Sequence, residues 1–349
     1  MHARTTLPNV AATPQADEPD VDLWALTDLA VPYAIRVAAT MRLADHVAGG
    51  TTRLADLAAK TGVPADLLGR LMRFLGCRGI FRETAPDVFA MTKTAEKLKD
   101  DHPSHLRQWI DLTGMGGRMD VSFGGLLDSI RTGEPAYPKI FGVPFYDDTE
   151  TTPEKARAFG ALMAIVSSWY AGAVAKLDWS GVNHLVDVGG GTGTLLSSVL
   201  RANPAMRGTL FDQPATAPVA LESFKKAGLA DRCTVASGSY LDPLPKGGDV
   251  YMLSQIVHNL SDPEAEVALR RCAEAAGPGG RVLVVERIAI SEKDQKLITS
   301  MDLRMLVVLG TRERNVDEFR ALGARAGLAL QSTQRLTAGM SALHFAVAG

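Results

Sequence analysis

The second half of the chain constrains the fold most, because from about residue 181 short apolar segments alternate with segments of helical spacing. The apolar segments are HLVDV at 184–188, GTLFD at 208–212, RCTVA at 232–236, DVYMLS at 249–254 and RVLVVER at 281–287. Near-continuous apolar strands separated by helices indicate a parallel sheet that helices cover on both faces. Ligands of such α/β domains bind outside the carboxyl ends of the strands, near the point where the strand order reverses. We therefore expect the functional site at that edge.

The first of these strands runs into a glycine-rich loop, DVGGGTGTLL, at residues 187–196. Gly189, Gly191 and Gly193 follow Asp187 in a DxGxGxG spacing. A dinucleotide-binding GxGxxG loop would need glycine where Thr194 stands. Glycines let a ligand approach the backbone closely, and Asp187 offers a counter-charge, directly or through water, to a cationic ligand. S-adenosylmethionine (SAM) carries an ammonium and a sulfonium and no phosphate, so this loop favours SAM.

A second carboxylate supports the same ligand. Asp212 ends the second strand, in LFDQP, 25 residues after Asp187. A carboxylate at that position can accept hydrogen bonds from both ribose hydroxyls of a nucleoside. The alternative is that Asp212 caps a helix that begins near Pro214. The two features predict a SAM-binding domain, and the alternative of a nicotinamide dehydrogenase is disfavoured by Thr194.

The N-terminal region shows a different pattern. A helix at 54–61 ends at Gly62, Pro64 opens a second helix, and the strand-like GIFRE and VFAMT follow as a hairpin. This order is typical of a winged helix. The second helix is expected to carry its apolar residues on one face, namely Leu67, Leu68, Leu71, Met72 and Leu75.

A winged helix can recognise DNA or act as a dimerisation module. The exposed face of the second helix holds only Arg70 and Arg73 as basic residues, with Asp66 beside them, and the whole chain has a formal net charge of −2. Without a basic face, nucleic-acid binding is disfavoured. We expect a dimerisation module at residues 22–95 and no nucleic-acid partner.

The other regions are assigned by composition. Residues 1–21 are expected to be a flexible tail without a signal peptide, and residues 96–180 a mostly helical, aromatic-rich region that borders a substrate pocket. Residues 181–349 form the SAM domain. The three cysteines are far apart, which favours a reducing compartment, and no apolar run is long enough to span a membrane. These observations predict a cytoplasmic protein without a membrane partner.

Several further segments lie in a characteristic order, namely FDQP, GSYLDPLPKGGDVYMLSQIVHNLSD, GPGGRVLVVER and GTRERNVDEFRALGARAGL. Together with the winged helix and the glycine loop, they resemble the SAM-dependent small-molecule O-methyltransferases. This family includes plant caffeate and flavonoid enzymes and bacterial antibiotic-tailoring enzymes. The resemblance covers residues 22–349 and is nearest to the bacterial members. It implies a Rossmann-like SAM methyltransferase sheet, a mostly α-helical winged-helix dimerisation domain, a homodimer, SAM converted to S-adenosylhomocysteine, and no metal.

The resemblance also implies the cofactor contacts. A Gly-Asp-aromatic step holds adenine in the family, and Gly238, Ser239 and Tyr240 occupy it here, so a serine replaces the usual acidic residue. Ser254 stands where many plant members have lysine, and we expect it near the methionine end of SAM. The predicted cofactor set is Asp187, Gly189, Gly191, Gly193, Asp212, Gln213, Gly238, Ser239, Tyr240, Ser254 and Gln255.

The chemistry of methyl transfer needs alignment of the acceptor and, for a phenol, removal of a proton with a pKa of about 10. His258 lies just past the fourth strand and matches the catalytic histidine of the family, although Asn259 follows it where Asp is usual. A histidine is a suitable general base at neutral pH. Glu286 and Glu313 match the family's acidic residues that orient the imidazole. The alternative is that His258 only closes a strand.

The acceptor pocket is predicted from the same resemblance. Phe159 and Met163 match an F-x-x-x-M helix of the family, Met305 and Val308 come from DLRMLVVLG, and Trp109 is a further candidate. The resulting hypothesis is O-methylation of an aromatic small-molecule natural product, most simply at a phenolic hydroxyl. N-methylation, hydroxylation or rearrangement on the same scaffold is the alternative, and a winged-helix regulator with a SAM-like sensor domain is a third.

Overall fold

The computed structural model describes residues 21–288 and 292–348. All of the predicted tail except residue 21 lies outside these described residues. The chain forms two compact units, the first ending at Gly117 and the second beginning at Arg118. This division falls within the region 96–180 that the sequence assigns to the pocket.

The first unit contains short helices and one hairpin. Its elements are α1 (Leu23–Thr27), α2 (Ala30–Thr40), α3 (Leu43–Ala48), α4 (Leu54–Thr61), α5 (Ala65–Cys77), β1 (Phe81–Ala85), β2 (Val88–Met91), a 3-10 turn (Ala95–Leu98) and α6 (Leu106–Ile110), with α7 (Met115–Val121) at its end. As predicted, α4 ends at Gly62, which has φ +68°, and Pro64 precedes α5. β1 and β2 pair as the predicted antiparallel hairpin.

The apolar face of α5 is narrower than predicted. Leu68, Met72 and Leu75 are buried in the core of the first unit. Leu67 is 49% exposed and lines an open depression with Leu71 instead. The physical reason is that residues 67 and 71 lie one step around the helix from 68, 72 and 75, and the core is not wide enough to cover both rows.

The helical part of the second unit precedes and flanks the sheet. It comprises a 3-10 turn (Ser122–Gly125), α8 (Leu126–Thr132), α9 (Tyr137–Phe141), α10 (Phe145–Glu150), α11 (Pro153–Val174) and α15 (Glu292–Leu309). Asp148, which is buried, joins three of these elements. Its carboxylate accepts from Tyr137 Oη at 2.5 Å and from Lys155 Nζ at 2.6 Å, and it pairs with Arg118 at 2.5 Å. This network fixes the helices that border the site.

The sheet contains seven strands in the order β5-β4-β3-β6-β7-β9-β8. They are β3 (His184–Val188), β4 (Arg207–Asp212), β5 (Cys233–Ser237), β6 (Val250–Ser254), β7 (Arg281–Arg287), β8 (Leu328–Arg335) and β9 (Met340–Val347). β3 to β7 are mutually parallel, as predicted. β9 is antiparallel to both β7 and β8, because the connection between β8 and β9 is too short for a parallel crossover.

The helices between the strands cover the sheet and set the position of the site. They are α12 (Thr194–Ala202), α13 (Ala217–Lys226), α14 (Asp262–Ala276) and α16 (Val316–Arg325). The chain leaves β3 towards β4 and β5 on one side and continues with β6 and β7 on the other. The order therefore reverses between β3 and β6, where a ligand crevice is expected. Among the described helices, none has the length and apolar character needed to cross a membrane.

Candidate active site

The glycine loop between β3 and α12 is shaped by conformations that favour glycine. Gly189, Gly191 and Gly193 all have positive φ, at +72°, +58° and +79°. A Cβ at Gly193 would lie 2.5 Å from the ring of Phe224, and one at Gly189 would lie 2.5 Å from Ile256. The glycines are therefore required by backbone and packing as well as by a ligand, and only around Gly191 is there open space for a Cβ.

Asp187 lies beneath this loop. It is 1% exposed, and neither carboxylate oxygen makes a hydrogen bond to a described residue. Burial, with a smaller effect of the nearby Asp212, raises the pKa of Asp187 to about 7. A Cβ at Gly190 would come within 2.6 Å of Asp187 Oδ2. An unpaired buried carboxylate beneath a glycine loop is the electrostatic setting that a cationic ligand would neutralise.

Asp212, at the carboxyl end of β4, holds the glycine loop through hydrogen bonds. Its Oδ2 accepts the N–H of Gly191 at 2.7 Å and its Oδ1 accepts the N–H of Gln213 at 2.7 Å. The alternative of a helix cap is wrong, because α13 begins only at Ala217 and its N-cap is Thr216. Each carboxylate oxygen keeps a further lone pair, so Asp212 can still receive ribose hydroxyls.

The segment after β5 has the form expected for covering an adenine. Gly238 donates its N–H to Asp212 O at 3.0 Å, and a Cβ there would meet the ring of Phe211 at 2.7 Å. Ser239 Oγ accepts a hydrogen bond from the N–H of Leu241 at 3.2 Å, so one of its lone pairs is used within the local turn. Burial raises the pKa of Tyr240, whose ring packs against the sheet core.

The predicted residues at the end of β6 are already engaged with protein groups. Ser254 Oγ lies 3.1 Å from the hydroxyl of Tyr170 on α11. Gln255 has a left-handed backbone, φ +53°, and its Nε2 lies 3.7 Å from Met340 Sδ. Gln213 makes the loop contact with Asp212 described above. The structure therefore places all three at the carboxyl edge of the sheet, and their contacts with a cofactor stay a prediction.

His258 belongs to a 3-10 turn, Val257–Asn259, directly after β6. It is 7% exposed. The turn is anchored from another strand, since Glu286 Oε1 accepts the N–H of Val257 at 2.8 Å and that of His258 at 3.4 Å. Asn259 donates its side-chain amide to Gln255 O at 3.0 Å, so it braces the turn instead of contacting the imidazole.

The imidazole itself is held by Glu313. His258 Nδ1 lies 3.0 Å from Glu313 Oε1 and 3.9 Å from Glu286 Oε2. Burial by itself would lower the pKa of His258, but the two carboxylates outweigh burial and raise it. Burial is also the main cause that raises the pKa of Glu286. Nε2 makes no hydrogen bond within the described part of the chain, so that nitrogen is available to a substrate.

Two residues that support this site were missed by the sequence reasoning. Arg314, 4% exposed, donates to the carbonyl oxygens of Val257 and Leu260, both at 2.7 Å, and so clamps the turn that carries His258. Asp302 on α15 accepts the N–H of Glu313 at 2.8 Å and fixes that residue's backbone. The only sequence signal for Arg314 was its position beside Glu313 in GTRERN.

His258, Glu286 and Glu313 also lie close enough together to be considered as metal ligands. One ligand atom from each of His258, Glu286 and Glu313 lies within 4.8 Å of the others. However, Nδ1 and Glu286 Oε1 already take part in hydrogen bonds inside the protein, so the set is arranged to orient an imidazole. Methyl transfer from a sulfonium needs no Lewis acid.

The predicted acceptor residues fall into different settings. Phe159 and Met163 are half-buried on α11, and Phe159 packs at 5.4 Å, centroid to centroid, on Phe145. Tyr146, absent from the predicted set, lies edge-on against both of these rings. The residue as a whole is 38% exposed, but its hydroxyl end is desolvated, which raises the pKa of the hydroxyl, with smaller effects of Tyr240, Asp212 and Glu286. These three rings form one aromatic cluster on α10 and α11.

The remaining candidates lie deeper or elsewhere. Met305 and Val308 on α15 are 6% and 1% exposed, so Val308 belongs to the packed interior. Trp109 packs against the core of the first unit. Their contacts with an acceptor stay predictions.

Comparison with known proteins agrees with this geometry. A family model described as the O-methyltransferase domain matches residues 123–329, and one described as the O-methyltransferase dimerisation domain matches residues 24–100. The chain is 43% identical over 318 residues to the 2,7-dihydroxy-5-methyl-1-naphthoate 7-O-methyltransferase of Streptomyces carzinostaticus, covering 91% of this chain and 95% of the relative. It is 40% identical over 343 residues to aclacinomycin 10-hydroxylase RdmB of Streptomyces purpurascens, covering 97% and 91%.

A solved structure shows the same likeness. The O-methyltransferase NcsB1 from neocarzinostatin biosynthesis, in complex with SAM and 2-hydroxy-5-methyl naphthoic acid, matches with a TM-score of 0.89 and 41% identity. The match covers 95% of this chain and 100% of that one.

Proposed function

Because this chain belongs to the SAM-dependent O-methyltransferase family, we propose that it methylates a phenolic hydroxyl of a fused-ring aromatic natural product, with His258 as the general base. The observation that carries the proposal is the Nδ1 contact of His258 with Glu313 at 3.0 Å, which leaves Nε2 without a protein partner among the described residues. A base held in this way is oriented and has one free nitrogen to receive a proton.

The cofactor site fits SAM on two structural grounds. Asp187 supplies a buried carboxylate without a hydrogen-bond partner in the described residues, and the glycines leave open space at Gly191. When bound, SAM supplies an electrophilic methyl group on a sulfonium. Asp212 would hold the ribose and Tyr240 would cover the adenine, which directs the methyl group towards the edge where His258 lies.

In the proposed mechanism, the chain's own residues position the acceptor and take its proton. The hydroxyl proton moves to His258 Nε2 as the oxygen attacks the methyl group, and the imidazolium is stabilised by Glu313. General-base catalysis contributes about 10²–10⁴-fold. Alignment of the acceptor with SAM also raises the rate, because binding has already removed much of their freedom of motion. Loss of the base therefore lowers the rate without abolishing it.

The acceptor class is inferred from the aromatic cluster and from relatives. Phe145, Tyr146 and Phe159 form a cluster of edge-on rings, and we expect the less buried Tyr146 and Phe159 to contact the acceptor. Proteins similar to this chain act on or bind hydroxylated naphthoic acids. Flat fused-ring acceptors are recognised by such stacking and edge contacts. We expect hydroxynaphthoates to be better substrates than single-ring phenols.

The relative named as a hydroxylase gives a second candidate, namely hydroxylation on this scaffold. Incubation of the protein with methyl-labelled SAM and a hydroxynaphthoate panel, followed by mass spectrometry, separates the two. Label in the product supports methyl transfer, and a product that contains one oxygen atom more than the substrate and no label supports hydroxylation. In the same assay, His258→Gln should lower turnover by about 10²-fold or more with little change in SAM affinity. Unchanged turnover would remove His258 from the role of base.

The dimerisation domain is proposed to form a homodimer through apolar residues of the first unit. Trp24 is 88% exposed, and Leu23, Leu26 and Leu29 are each at least 67% exposed. An open depression of about 470 Å³ is lined by Ala30, Ala34, Leu67, Arg70, Leu71 and Phe74. Such a surface on a symmetric dimer is buried by its own copy.

Analytical ultracentrifugation tests the homodimer. Trp24→Ser should shift the protein towards monomer, whereas the exposed-surface control Arg157→Ser should not. A dimer that is equally stable in both variants would place the interface elsewhere.

A further inference from the structure

Glu286 uses only one of its two carboxylate oxygens in a hydrogen bond to described residues. Oε1 accepts the backbone N–H groups of Val257 and His258, whereas Oε2 is buried and has no hydrogen-bond partner among them. The side chain is 0% exposed. A buried polar atom without a partner costs free energy, so the second oxygen calls for an explanation.

A second unpaired polar atom lies on the neighbouring strand. Ser341 in β9 is 0% exposed, and its Oγ makes no hydrogen bond to a described residue. β7 and β9 are antiparallel, and Glu286 is directly opposite Ser341 in their register. Side chains of directly opposed residues lie on the same face with Cβ atoms about 4.5–5.5 Å apart. The two side chains therefore share one face of the sheet, and a change of the serine rotamer is the step that would join the two unpaired atoms.

The charges around Glu286 favour its neutral form. His258 and Glu313 already form a pair of opposite charges when the imidazole is protonated, at 3.0 Å. Arg314 is paired with Asp262 at 2.7 Å. An ionised Glu286 would add a second buried negative charge beside Glu313, and both carboxylates would share the imidazolium of His258, which lies 3.9 Å from Glu286 Oε2 and 3.0 Å from Glu313 Oε1. Arg287, next in the strand, is near enough to lower the pKa of His258. The other titratable groups that face Glu286 are Tyr146 and Tyr170, with Asp302 behind Glu313.

We propose that Ser341 is a positioning residue whose Oγ accepts a hydrogen bond from the protonated Oε2 of Glu286 and so favours the neutral form of Glu286, leaving Glu313 as the charged carboxylate against His258. The inference rests on the proposed role of His258 as base. The two glutamates then have different roles. Glu286 holds the backbone of the turn, and Glu313 sets the basicity of the imidazole.

Infrared difference spectroscopy of the protein bound to S-adenosylhomocysteine tests this directly. The stretching band of a neutral carboxyl group, assigned by its loss in Glu286→Gln, should be present at pH 7. In Ser341→Ala the pH midpoint at which this band disappears should fall by about one unit, because the neutral acid loses its acceptor. The matched control is Ser129→Ala, which also removes a buried, unpaired hydroxyl, and it should leave the midpoint unchanged.

Absence of the band at pH 7, or a midpoint that stays or rises in Ser341→Ala, would overturn the proposal; a rise would mean that Ser341 donates to an ionised Glu286. Glu286→Gln gives a second readout that does not need Ser341→Ala to fold. The amide imitates the neutral acid, so NMR titration of His258 should match that of the unsubstituted protein. An ionised Glu286 would instead lower the pKa of His258 on substitution, by about one to three units. Both readouts are independent of catalysis, so they stand even if His258 proves not to be the base.

Discussion

The contact between His258 and Glu313 yields a prediction whose size follows from the structure. Glu313→Gln keeps the shape of the side chain and removes its charge. The two interacting atoms are 3.0 Å apart, and the side chains are 8% and 3% exposed. At an effective dielectric constant of about 20, the attraction of unit charges at that distance is about 5 kcal/mol. Desolvation of both groups offsets part of it, and opposite charges this close shift a pKa by about one to three units.

The sign of the effect follows from the protonation states. The pKa of His258 is raised in the folded protein, so the neutral base accumulates only as the pH rises past its ordinary value of about 6.5. Glu313→Gln should move the acid limb of the pH–rate profile downwards by about one to three units. A less basic imidazole also accepts the proton less readily, so the plateau rate should fall by roughly tenfold or more. The deficit should therefore shrink towards low pH.

The assay is methyl transfer from labelled SAM to a hydroxynaphthoate at subsaturating acceptor, between acidic and alkaline pH. Glu274→Gln on α14 is the matched control, because Glu274 lies in an exposed pair with Arg271 at 2.9 Å and away from the site. An acid limb in the same place in Glu313→Gln, or a rate deficit that does not vary with pH, would refute the argument that Glu313 sets the basicity of His258.

Three further predictions concern the cofactor loop and the helices that border the site. Asp187→Asn removes a carboxyl whose folded pKa is raised to about 7. Ionisation of Asp187 destabilises the folded protein by nothing at pH 4 and by about 4 kcal/mol above pH 7. In thermal unfolding without SAM, the variant should therefore become increasingly more stable than the unsubstituted protein from pH 4 to pH 8. Calorimetry should show weaker SAM binding to the variant. Gly193→Ala combines φ +79° with a clash at 2.5 Å on Phe224, so it should lower the free energy of unfolding, measured by urea titration, by about 2–5 kcal/mol. The control Gly228→Ala, at φ +68° in open space, should lower it by about 1–2 kcal/mol. Asp148→Asn leaves the partly exposed cations of Arg118 and Lys155 without their counter-charge and should lower the free energy of unfolding by about 1–2 kcal/mol at pH 7, a difference that disappears as the pH falls through the lowered pKa of Asp148.

The sequence by itself determined the elements whose cause is local. The apolar runs at 184–188 and 281–287 are strands with the predicted bounds, because each is buried after its first residue and bounded by turn residues. The glycine spacing predicted the loop, in which Gly189, Gly191 and Gly193 have the positive φ that favours glycine. The position of His258 after a strand placed it at the ligand edge of a parallel sheet.

Tertiary structure alone decided which side chains meet. Glu313 reaches His258 Nδ1 across 55 residues, and the sequence did not show which glutamate would face the ring. Glu286 lies farther from the ring, with Oε2 3.9 Å from Nδ1, and its Oε1 also holds the backbone of the turn. Arg314, which the sequence did not single out, is buried against that turn, and Ser341 is drawn into the argument only by its register opposite Glu286. The reason is physical. Strand register and loop path bring together atoms whose separation along the chain carries no local pattern, whereas turns, strands and glycine loops are dictated by the residues that form them.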